Sequence, residues 1–128
     1  MKFLLDTHLL LWAVAGSEKL PGAAVAAIRE PTNEPCFSAA SLWEIAIKHS
    51  LGRASFRVDP LVLRRTMLES GYTEVPITGA HAVAAAKLPP IHRDPFDRML
   101  VAQAIVEGML LMTGDSEVAR YPGPIQKV

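Results

Sequence analysis

Residues 1–16 read MKFLLDTHLLLWAVAG, and the part played by Asp6 decides what the rest of the chain can be. A lysine followed by an apolar run that closes on small residues and glycine resembles a secretory leader. The apolar core of a leader carries no charge, however, and here Asp6 interrupts it. Cleavage near Ala15 would also leave SEKLPGAAVAAIRE at the front, a helix with no strand before it. The stretch parses better as the opening of a folded domain. Lys2 to Leu5 reads as a short buried strand, Asp6 and Thr7 as its end, and Leu9 to Ala15 as the start of a helix.

The alternation continues along the chain. Pro21 to Glu30 has helical composition, with proline in the first turn. A turn over Pro31 to Glu34 leads to a strand at Pro35 to Ser38, then a helix from Ala39 to Ser50 stopped by Gly52. Pro60 to Glu69 is a helix opened by Asp59-Pro60, Thr73 to Pro76 a strand, and Thr78 to Lys87 an alanine-rich helix. After a loop at Leu88 to Ile91 come a helix at Pro95 to Glu107, a strand at Met109 to Met112, and a last short strand in the tail Tyr121 to Val128. Short apolar strands between helices predict a three-layer α/β/α sandwich around a mostly parallel sheet. The 128 residues fit one domain spanning 1–128.

Composition narrows the function classes. Half the residues are hydrophobic and 20% are charged, which excludes a disordered chain. Thirteen basic and thirteen acidic residues cancel, so bulk charge is not what would bring this protein to nucleic acid. The lone Cys36 lies in the apolar context PCFSAA and reads as a buried strand residue. A single cysteine fits a reducing compartment, and with no run apolar for long enough to span a bilayer the expectation is a cytoplasmic protein without membrane contact.

Carboxylates fall where this skeleton makes them meaningful. Asp6 follows FLL, Glu44 lies in the helix after CFS, and Asp115 follows LLMTG. Sites in open α/β sheets form beyond the carboxyl ends of the strands, and these three acids come from that edge. The helix bearing Asp94 and Asp97 feeds the strand Met109 to Met112, so its N-terminus returns to the same edge. Each acid also has a structural reading. Asp6 and Asp115 could cap the helices that follow them, and Glu44 could simply pair with Lys48 at i, i+4. In HRDPFDRML, Asp94 precedes Pro95 and reads as an N-cap, with Arg98 four residues on as a pairing partner. Asp97 shares the core-facing stripe with Leu100, Val101 and Ala104, which assigns it to the site.

Four clustered carboxylates repel one another and raise each other's pKa values, a penalty that a hard divalent cation removes. Mg²⁺ or Mn²⁺ prefers such all-oxygen ligands. Zinc would call for histidine or thiolate, and His8, His49, His81 and His92 show no ligand spacing. His8 and His92 lie near the proposed site and read as solvent-facing or substrate-contacting. Thr7, Thr113 and Ser116 are placed to support a carboxylate, or to serve ordinary turn roles. An acidic Mg²⁺ cluster suits phosphoryl chemistry.

The stretches FLLDTHLLLW, FSAASLWEIAIKHSLG, HRDPFDRMLVAQA and LLMTGD together resemble the PIN-domain ribonucleases, in particular the VapC-like toxins of bacterial toxin–antitoxin pairs. The likeness runs over nearly the whole chain. It implies an α/β/α sandwich and an Mg²⁺- or Mn²⁺-dependent endoribonuclease whose acidic site maps onto Asp6, Glu44, Asp97 and Asp115. Asp94 matches a subgroup pattern rather than the shared set. The resemblance further implies a homodimer neutralised by a small antitoxin protein. RNA would need cations at the rim, and His92, Arg93, Arg98, Lys48, Arg53 and Arg57 are available. A solvated face is the other reading of these, and for Arg53 and Arg57 the stronger one. Two rivals stand beside this. A haloacid-dehalogenase-like phosphatase also begins with an apolar strand ending in Asp, but needs a second Asp where this chain has His8. A non-catalytic PIN-like interaction domain would carry the same acids as structural groups.

Overall fold

In the computed structural model, which describes residues 1–128, the strands are β1 (Lys2–Leu5), β2 (Glu34–Ser38), β3 (Thr73–Val75), β4 (Leu110–Thr113) and β5 (Ile125–Lys127). The helices are α1 (Thr7–Ala15), α2 (Gly22–Arg29), α3 (Ala39–Ser50), α4 (Pro60–Glu69), α5 (Gly79–Ala86) and α6 (Pro95–Glu107). The sheet order is β3-β2-β1-β4-β5 and every pairing is parallel. A short 3-10 turn at Val118–Arg120, not foreseen from sequence, precedes β5.

Period-two alternation sorts the strand side chains onto two faces. Phe3, Leu5, Phe37 and Met112 point into a core shared with Leu9, Leu10, Ile45 and Leu63. Leu4, Cys36 and Leu111 point to the opposite side, against Leu100, Val101 and Ala104 of α6. Helices thus cover both faces, which is why these strands read as unbroken apolar runs rather than alternating ones. Burial pushes the Cys36 thiol up to about 11, so it stays protonated and inert.

The central strand β1 is where the sheet order reverses, since β2 and β3 lie to one side and β4 and β5 to the other. The crevice beyond the carboxyl ends of β1 and β4 is the switch point at which such sheets place their sites. Local chemistry fixes what enters it. Helix α1 starts at Thr7, two residues earlier than its apolar pattern predicts, because the Asp6 side chain caps it by accepting from the Leu9 N–H at 2.9 Å. Helix α6 starts at Pro95 and is capped by Asp94, whose Oδ1 accepts from the Phe96 and Asp97 N–H groups at 2.8 and 3.2 Å. Both helices end on glycines in the left-handed region, Gly16 at φ 62° and Gly108 at φ 66°.

Candidate active site

Asp6, Glu44, Asp97 and Asp115 line one cavity of about 220 Å³ together with Thr7, His8, Lys48, His92 and Asp94, and no hydrophobic side chain faces it. Four chain segments deliver these groups. The end of β1 gives residues 6–8, α3 gives Glu44 and Lys48, the start of α6 gives Asp94 and Asp97, and the turn after β4 gives Asp115.

Asp6 caps α1 and faces the site at once. Its Oδ2 accepts from Thr113 Oγ1 at 2.6 Å and from the Gly114 N–H at 3.3 Å, while Oδ1 holds the helix. The same Thr113 hydroxyl accepts from the Asp115 N–H at 3.0 Å, so one side chain ties the end of β1 to the turn that carries the fourth acid. Burial pushes the Asp6 carboxyl above its ordinary pKa, against the pull of these donors.

Glu44 is 3% exposed and is held from both sides. Thr7 Oγ1 donates to its Oε1 at 2.7 Å and the Lys48 ammonium donates to its Oε2. The i, i+4 pair foreseen from spacing therefore forms, but at the cavity wall rather than on a solvated face. Ser41 Oγ lies 3.0 Å from Thr7 Oγ1 and braces it. Sequence reasoning passed over Ser41, although its place one turn before Glu44 on the same helix was a usable signal.

Asp97 Oδ2 meets His92 Nε2 at 3.0 Å. Burial and then the neighbouring Asp94 charge push the Asp97 carboxyl up to about 7; the His92 hydrogen bond works against this and Glu44 adds to it. One trio of ligand-type atoms, from His92, Asp94 and Asp97, lies mutually within 4.8 Å. The remaining acids stand further off around the cavity. The donor chemistry fits a hard divalent cation: carboxylate oxygens predominate, Asp6 and Glu44 are buried, and repulsion from Asp94 and Glu44 is already expressed in Asp97.

Some expected contributors lie elsewhere. Arg98 neither pairs with Asp94 nor reaches toward the rim. Its guanidinium donates to the carbonyls of Ala85, Leu88 and Pro89 and to Tyr121 Oη, because the last turn of α5 and the loop after it turn these carbonyls toward it. Tyr121 Oη in turn accepts from the His92 N–H at 2.8 Å and donates to the His92 carbonyl at 3.0 Å, so Arg98 serves the site by fixing the loop that carries His92. Ser116 and Arg93 are exposed and do not line the cavity. Of the expected rim groups, Lys48 and His92 do line it.

The sequence matches the PIN domain family over residues 3–124. The chain belongs to the PIN-domain family. Among curated proteins, this PIN domain is 34% identical over 125 residues to Ribonuclease VapC22 of Mycobacterium tuberculosis, with 95% of each chain covered. Among solved structures it resembles VapBC2 from Rickettsia felis bound to a promoter DNA fragment, with a TM-score of 0.75, 17% identity, and coverage of 100% of this chain and 99% of that one. DNA-bound VapBC from Salmonella typhimurium gives a TM-score of 0.72 at 20% identity, covering 99% of this chain and 98% of that one. The two structural likenesses agree with a parallel sheet flanked by helices on both faces, as the sequence pattern predicted. No helix of this PIN domain is long and apolar enough to cross a membrane.

Proposed function

We propose that this PIN domain is a VapC-type toxin, an endoribonuclease that hydrolyses RNA phosphodiester bonds with the help of Mg²⁺ or Mn²⁺. The observation that carries the reading is the convergence of four carboxylates from four segments on one wholly polar cavity at the switch point of the sheet. Its similarity to Ribonuclease VapC22 along 95% of both chains supports the reaction class.

Asp6, Glu44 and Asp97 would hold the cation, with Asp115 completing the set. When bound, the ion would supply orientation of the attacking water and neutralisation of the charge that builds on the phosphate. The chain's own groups do the positioning. Thr113 and the Leu9 and Gly114 N–H groups fix the Asp6 carboxylate in one orientation, and Thr7 does the same for Glu44. Such outer partners keep ligands in place before the ion arrives. Lys48 sits beside Glu44 and His92 beside Asp97, so each can offer a proton-bearing nitrogen to a phosphate oxygen at the cavity mouth. Asp94 shapes the site from its cap position, by holding the first turn of α6 and by raising the pKa of Asp97.

The protein then acts in the cytoplasm, where a small antitoxin restrains it, and forms a homodimer. The solved neighbours being VapBC assemblies supports a partner of that kind. A brief pulse of expression followed by sequencing of RNA ends tests the reading. Wild type should create new RNA ends at a defined site and arrest growth, and Asp6→Asn should do neither. Identical RNA ends in both would exclude it.

A further inference from the structure

Beside the acids lies an aromatic cluster that the chemistry so far does not use. His8 and Trp12, one turn apart on α1, have ring centroids 6.0 Å apart with planes at 52°. Phe56 arrives from the loop between α3 and α4 and meets the His8 ring edge-on at 5.7 Å. That loop is pinned, since His49 Nδ1 lies 2.8 Å from the Phe56 carbonyl and the Lys48 ammonium stands 5.0 Å from the centre of the Phe56 ring. Packing alone does not account for His8. It is exposed, yet it is built onto two other rings next to the buried carboxylate of Asp6.

A second cavity of about 180 Å³ opens there, lined by Asp6, His8, Trp12, Gly114 and Asp115. It shares Asp6, His8 and Asp115 with the four-acid cavity, so a chain lying with one phosphate at the acids has its neighbouring nucleoside in this space. Two carboxylates in its wall repel a phosphate but accept a neutral base. Trp12 also borders a groove that includes Lys19 and Arg57, which can receive the phosphates beyond. Single-stranded RNA is commonly held in this way, with bases splayed onto aromatic rings and the backbone following cationic side chains.

We propose that His8 and Trp12, backed by Phe56, form a stacking platform for the nucleobase next to the scissile phosphate. This rests on the ribonuclease reading above and assigns that site a positioning surface. His8 and Trp12 position substrate; the acids remain the reacting machinery.

The test uses a short single-stranded RNA whose cut site has been mapped with the wild-type protein and Mn²⁺. The nucleotides on either side of the cut are then replaced, one at a time, by an abasic residue. On intact RNA, Trp12→Leu and His8→Leu should raise KM roughly tenfold, with kcat held within about twofold. Trp12→Phe and His8→Phe keep a flat ring and should restore a KM near the wild-type value. On one of the two abasic RNAs the wild type should suffer the same loss, and the leucine variants should add nothing to it. Leucine variants with a wild-type KM on intact RNA overturn the platform. So does a penalty that persists undiminished on both abasic RNAs, or a fall in kcat alone. A wild-type protein that cuts no RNA sinks the ribonuclease reading instead. The platform is then judged by binding. In a Trp43→Phe background Trp12 is the only one of the two tryptophans left. Its fluorescence should be quenched by an intact oligoribonucleotide and not by a fully abasic one, and equal or absent quenching in the two overturns it.

Discussion

Replacing Asp97 by asparagine should make the metal-free protein more stable near neutral pH while ending its activity. Burial, then the Asp94 charge, raises Asp97 from 3.8 to about 7. That is about three pKa units at about 1.4 kcal/mol each, so the ionised carboxylate costs the native state about 4 kcal/mol once the pH passes 7. The side chain is 18% exposed, so solvent screens only part of this. Between roughly pH 4 and 7 the native state keeps a proton that the unfolded chain has released. Stability must therefore fall as the pH rises through this window, and the loss is complete above about 7. Asparagine carries no such burden and leaves the Asp94 cap untouched. Urea unfolding in the presence of a chelator, from pH 4.5 to 8, measures the difference between wild type and Asp97→Asn. The gap should widen steadily up to about pH 7 and then level off. Saturating Mn²⁺ should close it by stabilising only the wild type. Two parallel curves, or an asparagine variant that is less stable throughout, would refute the electrostatic account of the cavity.

Three further outcomes follow from contacts in the structure. Thr113→Val conserves shape but removes the donor to Asp6 and the acceptor for the Asp115 N–H. It should weaken Mn²⁺ affinity about tenfold or more, read from metal titration of the cleavage rate. His81 is buried between α5 and α6, where Nδ1 accepts from the Thr78 N–H at 3.0 Å and Nε2 donates to Glu107 at 3.1 Å. His81→Ala should cost about 2–4 kcal/mol in denaturant unfolding, through the cavity and the orphaned amide. Arg98→Lys keeps the charge but loses the fork that reaches three carbonyls and Tyr121. It should destabilise by about 1–3 kcal/mol and open residues 86–93 to limited proteolysis.

Much of this molecule could be read from its residues, and the parts that could not share a physical cause. KFLL, CFS and LLM are recognisable because buried parallel strands must be apolar on both faces, and the Asp-Pro steps at 59–60 and 94–95 announce helix starts by their own stereochemistry. Local rules go astray where one group serves two ends. The sequence poses capping and site as alternatives for Asp6, yet the structure has its two oxygens doing separate jobs, one on Leu9 and the other on Thr113. Glu44 likewise pairs with Lys48 and faces the cavity. Arg98 turns away from Asp94 because its acceptors, at the end of α5, in the loop after it and on Tyr121, are brought to it by tertiary packing. Nothing in the spacing of HRDPFDRML reveals them. The aromatic cluster was hidden for the same reason: His8 and Trp12 are visibly one turn apart, but Phe56 reaches them only through the fold.

The central claim is that Asp6 and its partner acids make a metal-dependent RNA-cleaving site, and Asp6→Asn tests it most directly. Asparagine keeps one oxygen to accept the Leu9 N–H and so caps helices as well as aspartate does. Its amide nitrogen gives up the acceptor for Thr113 and Gly114, while the cost of burying a charge is removed. The decisive measurement is cleavage of RNA by the purified proteins in Mn²⁺ and in chelator, with circular dichroism confirming that both are folded. The account predicts cleavage by the wild type in Mn²⁺, none in chelator, and none by Asp6→Asn in either. A folded Asp6→Asn that cuts RNA at the wild-type rate in Mn²⁺ would contradict it.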